Sequence, residues 1–324
     1  MKSYHKLSTT LSVAALCFGV ASPTYARGKD KKLEAKIGAY VYALNTATRS
    51  VFEAQKNYAR YWEDYEVGPT CTEKRMPSQL YFSSLMPSVW QDLAKVVKSK
   101  PKLKDLDPAA QTIATTLEKF STLGREVSQY YQKREYKNDN CAKGKEYHKT
   151  LVAMWKDYDQ ADQVIRAFVI KRNDEREQGD LAATQKKYGK NMRYHAQKTM
   201  IDAKAMVRGM EAELKKPEPD LAALKQAGAP FQETLKGLVD LGEKNRSMAD
   251  TFGYLRYMRA AQGLDKAVTE FIERIETKKE FSKYEEKSLK SGSQSVKGSF
   301  PRIMSQFNGL ITQSNQLRFP SKVK

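Results

Sequence analysis

Apolar residues recur at every third or fourth position almost from one end of this chain to the other, and no segment alternates with the two-residue period of a half-buried strand. The first run shows the pattern. Leu33, Ile37, Tyr40, Val41, Leu44, Val51, Phe52, Tyr58 and Trp62 share one face of a helix over roughly 31–65. Such a helix buries one stripe and gives the rest to water, which accounts for 29% charged residues beside 40% hydrophobic ones. With 17 glycines and 11 prolines in 324 residues, the chain is too poor in turn formers for an all-β fold. The expected fold is all-α, an elongated multi-helix bundle of long amphipathic helices.

The breaks set the organisation. "EVGPTCTEKRMP" ends the first helix, and a second covers Ser78–Lys98, interrupted by Pro87. The basic linker "KSKPKLKDLDP" ends in a start signal, Asp107 as N-cap and Pro108 as first helical residue. Ile113, Leu117, Phe120, Leu123, Val127 and Tyr130 carry a third helix to about Tyr136, and "KNDN" then turns the chain. A fourth pattern runs from Leu151 to Val169 and resumes from Leu181 to Leu214; Gly179 leaves it open whether this is one helix or two. Shorter pieces follow "KKPEPD" near 220–226, 230–243, 247–261 and 264–280, and a last helix carries Phe300 to Ile311. Residues 27–216 read as the N-terminal part of a long-helix bundle. Residues 217–324 read as a helical part packing on or stacked against it.

The N-terminus reads as a signal peptide, residues 1–26. "MKSYHK" is positive, "LSTTLSVAALCFGVA" is apolar but too short to span a bilayer, and "SPTYA" offers cleavage after Ala26. Cys17 invites a lipoprotein reading, which Leu16 disfavours by sitting where processing wants a small residue. No later segment is apolar for long enough to cross a membrane. The expected location is periplasmic or secreted. Two cysteines then remain, Cys71 and Cys141, and an even pair in an oxidising compartment reads as one disulfide. With the first three helices alternating up, down and up, both cysteines fall at one pole.

That pole is crowded. "YYQKREYKNDNCAKGKEYH", residues 130–148, brings Tyr130, Tyr131 and Tyr136 beside Tyr58, Tyr61, Trp62 and Tyr65 of the first helix, with Tyr81 and Phe82 starting the returning helix nearby. Its Tyr130, Tyr131, Tyr136, Lys137, Asp139, Ala142, Lys143, Gly144, Lys145 and His148 resemble the signature turn of the YiiG-like bacterial exported and lipoprotein family of unknown function. "KIGAYVYALN" and "FNGLITQSN" resemble that family's first and closing helices, so the likeness spans nearly all of the mature chain. The resemblance implies an α-helical envelope protein and brings no reaction or ligand. Cys141 and the missing lipid-attachment site depart from the family pattern.

Little in the sequence points to catalysis. After cleavage only His148 and His195 remain, no Gly-x-Ser-x-Gly elbow is present, and the Gly-Lys at 144–145 lacks phosphate-loop spacing. Cys141, Glu146 and His148 match no zinc spacing. His195, between Met192 and Thr199 on an apolar stripe, reads as a core or boundary histidine. No cofactor and no metal are expected. The candidate binding pole comprises Tyr61, Trp62, Tyr65, Tyr130, Tyr131, Tyr136, Asp139, Lys143 and His148; the competing reading is that these rings only close the end of the core. The formal net charge is +19, and the basic runs "KSKPKLK" and "KKYGKNMRYHAQK" suit anionic lipid head groups or envelope polymers, with no nucleic acid expected after export. The function expected is an exported, non-enzymatic envelope module that binds an unknown envelope protein or small ligand. Electrostatic adhesion to anionic surfaces is the alternative, and an enzyme of unknown class the third.

Overall fold

A computed structural model describes residues 30–77, 87–246 and 253–319. The expected signal peptide, Cys17, the cleavage point after Ala26, Tyr81 and Phe82 lie outside the described residues. Within them the chain is all-α: ten helices and no strand. In chain order they are α1 Asp30–Ala59, α2 Pro87–Lys98, α3 Leu106–Gln132, α4 Tyr136–Asp139, α5 Ala142–Tyr188, α6 Met192–Leu214, α7 Leu221–Lys244, α8 Tyr254–Glu276, α9 Lys283–Lys290 and α10 Phe300–Ser314. They form two compact units, one ending at Arg172 and the other beginning at Asn173, within α5. "KKPEPD" lies inside the second unit, between α6 and α7. No helix among the described residues is long and apolar enough to cross a membrane.

The apolar stripe of α1 forms the spine of the first unit. Ile37, Tyr40, Leu44, Val51 and Tyr58 are buried, as the period predicts. They pack with Ile113, Leu117, Phe120 and Val127 of α3 and with Leu151, Trp155, Tyr158 and Ile165 of α5 in one core. The α1 and α5 helices run antiparallel: Glu34 pairs with Arg172 at one end, and Thr48 bonds Tyr158 and Asp162 further along. The α2 helix packs on α1 and α3.

Two local expectations change, and one open question closes. The α1 helix stops at Ala59 rather than near residue 65, because the chain tightens into turns at Tyr61 and Trp62. Asp107 does not cap α3. Asp105 occupies the cap position without a side-chain bond, and the Asp107 carboxylate is instead taken by Lys36, Tyr40 and the Leu103 N–H. Gly179 does not break α5; the break comes at Gly189, which adopts φ 67°. Asn191 then caps α6 by accepting from the Tyr194 N–H at 3.1 Å.

The second unit packs α6, α7, α8 and α10 around Met206, Met210, Phe231, Leu238, Tyr257, Phe271 and Phe307. The pieces expected at 220–226 and 230–243 are one helix. Pro230 lies on its exposed side, where water can serve the carbonyl that loses its bond. Buried tyrosines lock these helices through backbone carbonyls, Tyr257 to Ala196 at 2.9 Å and Tyr254 to Leu238 at 3.0 Å. The α9 helix, absent from the sequence expectation, starts on a capping box between Ser282 and Glu285. Buried Arg274 holds it by bonding the Glu280 carbonyl and the Glu285 carboxylate.

Candidate functional site

The pole forms where the end of α1, the end of α3 and the start of α5 meet. Cys71 and Cys141 are disulfide-bonded there, with Cα atoms 5.8 Å apart across a sequence separation of 70. The turn between α3 and α5 depends on left-handed backbone at Arg134, Asn140 and Cys141. The short α4 lies between these positions.

Tyr130, Asp139 and Gly144 of the 130–148 motif have structural tasks. The Tyr130 hydroxyl donates to Asp139 Oδ1 at 2.9 Å and accepts from the Gly144 N–H at 3.2 Å. The other oxygen of Asp139 accepts from the Lys143 N–H at 3.0 Å. One tyrosine and one carboxylate thus satisfy two free N–H groups in the first turn of α5, where a negative charge is also favoured by the helix dipole. Gly144 permits the approach: a Cβ there would meet the Tyr131 hydroxyl at 3.1 Å and the Tyr130 ring at 3.3 Å. Lys137 and Lys145 face solvent.

Behind this lock the rings stack inward. Trp62 lies 5.9 Å from Tyr131 and 5.2 Å from Tyr58, centroid to centroid, and Tyr58 lies 5.5 Å from Trp155. His148 sits among them, with Nδ1 3.1 Å from the Tyr58 hydroxyl and its ring against the Tyr65 edge. Its other neighbour is Gly68, at φ 73°, where a Cβ would come within 2.5 Å of the imidazole. Five buried polar atoms here make no hydrogen bond of ordinary geometry among the described residues, Trp62 Nε1, Tyr65 Oη, Tyr131 Oη, His148 Nε2 and Trp155 Nε1, although Tyr131 and Trp62 have the Tyr58 hydroxyl, and His148 the Tyr65 backbone, as polar neighbours.

The electrostatics follow from burial. Desolvation holds the His148 imidazole below its usual range, so it is neutral near pH 7. Burial raises the Tyr58, Tyr130 and Tyr131 phenols well above theirs, and neighbouring hydroxyls and Asp139 add to the effect. These hydroxyls therefore stay protonated and act as hydrogen-bonding groups.

The structure brings all nine candidate pole residues into one neighbourhood but divides them by exposure. Trp62, Tyr130, Tyr131 and His148 are buried in the end of the core, so a contact surface is open only to the others. Tyr61, Tyr65, Tyr136 and Asp139 are half-buried at the rim, and Lys143 is exposed. Gly68 and Trp155 belong to the same cluster; the first gave no signal as a glycine in a loop, and the second read only as part of a helical stripe. His195 is half-buried in α6, its ring where a Cβ on Gly237 would lie 2.7 Å away, apart from the pole residues in sequence and in the other unit. Among the described residues no group of three or more His, Cys, Asp and Glu side chains is placed to hold a metal.

Residues 31–316 match the model described as Protein of unknown function (DUF3829). The chain belongs to the DUF3829 family. This DUF3829 protein is also similar to the Uncharacterized protein YiiG of Escherichia coli (strain K12), at 26% identity over 296 residues, covering 87% of this chain and 78% of that protein. The YiiG-like resemblance of the 130–148 motif agrees with both. No solved structure matches this DUF3829 chain.

Proposed function

We propose that this protein is an exported, non-enzymatic envelope protein that works as a binding or interaction module. The observation that carries export is the Cys71–Cys141 disulfide. Such staples persist where thiols are oxidised, and the N-terminal segment has the layout of a signal peptide. The non-enzymatic reading draws support from His148, the motif's one imidazole. It is paired with a tyrosine hydroxyl, lies against Gly68 and Tyr65, and is buried at 5% exposure. The contact surface is the pole's rim, Tyr61, Tyr65, Tyr136, Asp139 and Lys143, with the buried rings as its rigid support.

Crosslinking in the native envelope followed by mass spectrometry tests this directly. A partner captured from the wild type and lost in Tyr61→Ala with Tyr136→Ala supports the rim. Reduced Cys71 and Cys141 in protein taken from its own compartment would remove the basis for export.

A second reading rests on a different observation. The lysines of "KSKPKLK" are all exposed, and a positive surface of this kind adheres electrostatically to anionic surfaces.

A further inference from the structure

Resting on the electrostatic reading, we propose that the 98–104 loop, together with the first turn of α1, is a docking face for an anionic bilayer. The loop is fixed from beneath. Lys36 Nζ donates to the carbonyls of Val97, Ser99 and Pro101 at 3.2, 2.9 and 2.9 Å. With these alternate carbonyls drawn inward, the lysines between and after them, Lys98, Lys100, Lys102 and Lys104, are all exposed. A buried ammonium thus fixes the backbone of a loop that exposes four lysines.

The charge on this face is largely uncompensated. Lys102 folds back to the Val97 and Lys98 carbonyls at the end of α2. Lys98, Lys100 and Lys104 enter no ion pair among the described residues, and neither do Lys31 and Lys32, exposed one turn before Lys36 on α1. Three nearby acids are committed elsewhere, Asp107 to Lys36, Glu34 to Arg172 and Asp92 to Lys95, while α1 itself begins with an acid, Asp30. Asp105 is the exposed acid of the loop. The N-termini of α1 and α3 lie at this same end and add the positive ends of two helix dipoles, against the one negative end of α2 at Lys98.

The chemistry selects a bilayer. Lysine is a hydrated point charge without the planar fork of arginine, which suits a diffuse anionic plane better than a single recognised phosphate. No aromatic ring interleaves the loop, so bases have nothing to stack on. Leu103 packs against the core, so the loop offers no apolar anchor for insertion. Attachment is by charge alone and sensitive to salt.

The test is sedimentation of the purified full chain with phosphatidylcholine vesicles, with and without phosphatidylglycerol, at low and high salt. The expected result is binding only to the anionic vesicles, lost at high salt. The triple variant Lys98→Gln, Lys100→Gln, Lys104→Gln should bind roughly 100-fold more weakly, at about 5-fold per lysine, with an unchanged melting temperature. A control triple in the second unit, Lys236→Gln, Lys244→Gln, Lys266→Gln, removes the same charge from exposed positions outside both basic runs and should change binding far less. Wild type that ignores phosphatidylglycerol overturns the electrostatic reading and this proposal together. Wild type that binds, with the loop triple binding equally well or the control triple losing as much, leaves the reading standing and overturns the loop assignment. Binding to soluble polyphosphate without binding to the vesicles overturns the bilayer as partner.

Discussion

Lys36 and Asp107, 71 residues apart, form an ion pair of 3.0 Å inside the first unit, with side chains 1% and 13% exposed. A buried ammonium is tolerated only when its protons are all engaged, and here three carbonyls join the carboxylate around Nζ. Tyr40 donates to the second carboxylate oxygen at 2.7 Å. One charge pair thus ties α1, the loop after α2 and the start of α3 together.

Substituting Lys36→Met should therefore destabilise the protein by about 3–5 kcal/mol, because it leaves the Asp107 carboxylate without its counter-charge and takes the Lys36 donor from the Ser99 and Pro101 carbonyls. A urea melt measures it. The carboxyl also carries a pH signature. Burial alone would raise its pKa, but bonds from Tyr40, Lys36 and the Leu103 N–H hold it below the usual range. Its stabilisation is complete above about pH 4 and is lost as pH falls through the depressed folded value. That loss should be absent in Asp107→Asn.

Cys141→Ser should lower stability by about 4 kcal/mol on the loop-closure estimate for a staple of this span. Differential scanning of wild type with and without reductant should reproduce the shift. The variant should become insensitive to reductant, since Cys71 is then left without its partner.

His148 gives a second pH dependence. Its folded pKa is depressed by burial, so the unfolded chain takes up the proton first as pH drops. Stability is complete above about pH 6.5 and declines as pH falls from there toward the folded value. His195, depressed by burial and by the Lys190 charge, acts in the same direction. The contribution of His148 is the part of the decline that disappears in His148→Gln, read from urea midpoints near neutral pH and at about pH 5.

Gly68→Ala should cost about 3 kcal/mol or more, because the position combines a positive φ with a Cβ that would enter the His148 ring. Combining it with His148→Ala removes the clash but not the backbone strain. The double variant should therefore be less destabilised than the sum of the two single changes.

The helical period was readable because burial of one stripe depends on spacing alone, and α1 buries the stripe from Ile37 to Tyr58 that its spacing marks. What spacing does not reveal is competition between local and distant partners. Asp107 followed by Pro108 is a sound local cap signal, yet Lys36 and Tyr40 claim the carboxylate. Lys36 itself is one lysine in a charge-rich helix, beside Ile37, with nothing to mark it as buried. The pole was legible as a cluster, since the ends of two helices are followed by the two cysteines. Its division into buried Trp62, Tyr130, Tyr131 and His148 and a half-open rim depends on how Gly68 and Gly144 let the backbone close over the rings. That closeness is a property of tertiary packing.

The two adjacent tyrosines of the motif should respond oppositely to loss of a single oxygen. Both are buried, Tyr130 at 2% and Tyr131 at 1% exposure. The Tyr130 hydroxyl bridges Asp139 and the Gly144 N–H, so Tyr130→Phe strands a carboxylate oxygen and a helix N–H at once. The expected cost is about 2–3 kcal/mol. The Tyr131 hydroxyl makes no hydrogen bond of ordinary geometry, and its polar neighbour, the Tyr58 hydroxyl, already has His148 as partner, so Tyr131→Phe should lie within about 1 kcal/mol of wild type. Tyr131→Ala, by contrast, removes a ring in contact with Trp62, Tyr130 and Tyr136 and should cost about 3–5 kcal/mol. Thermal melts of the three variants decide it. Equal losses in the two phenylalanine variants would mean that Tyr131 is also hydrogen-bonded in solution.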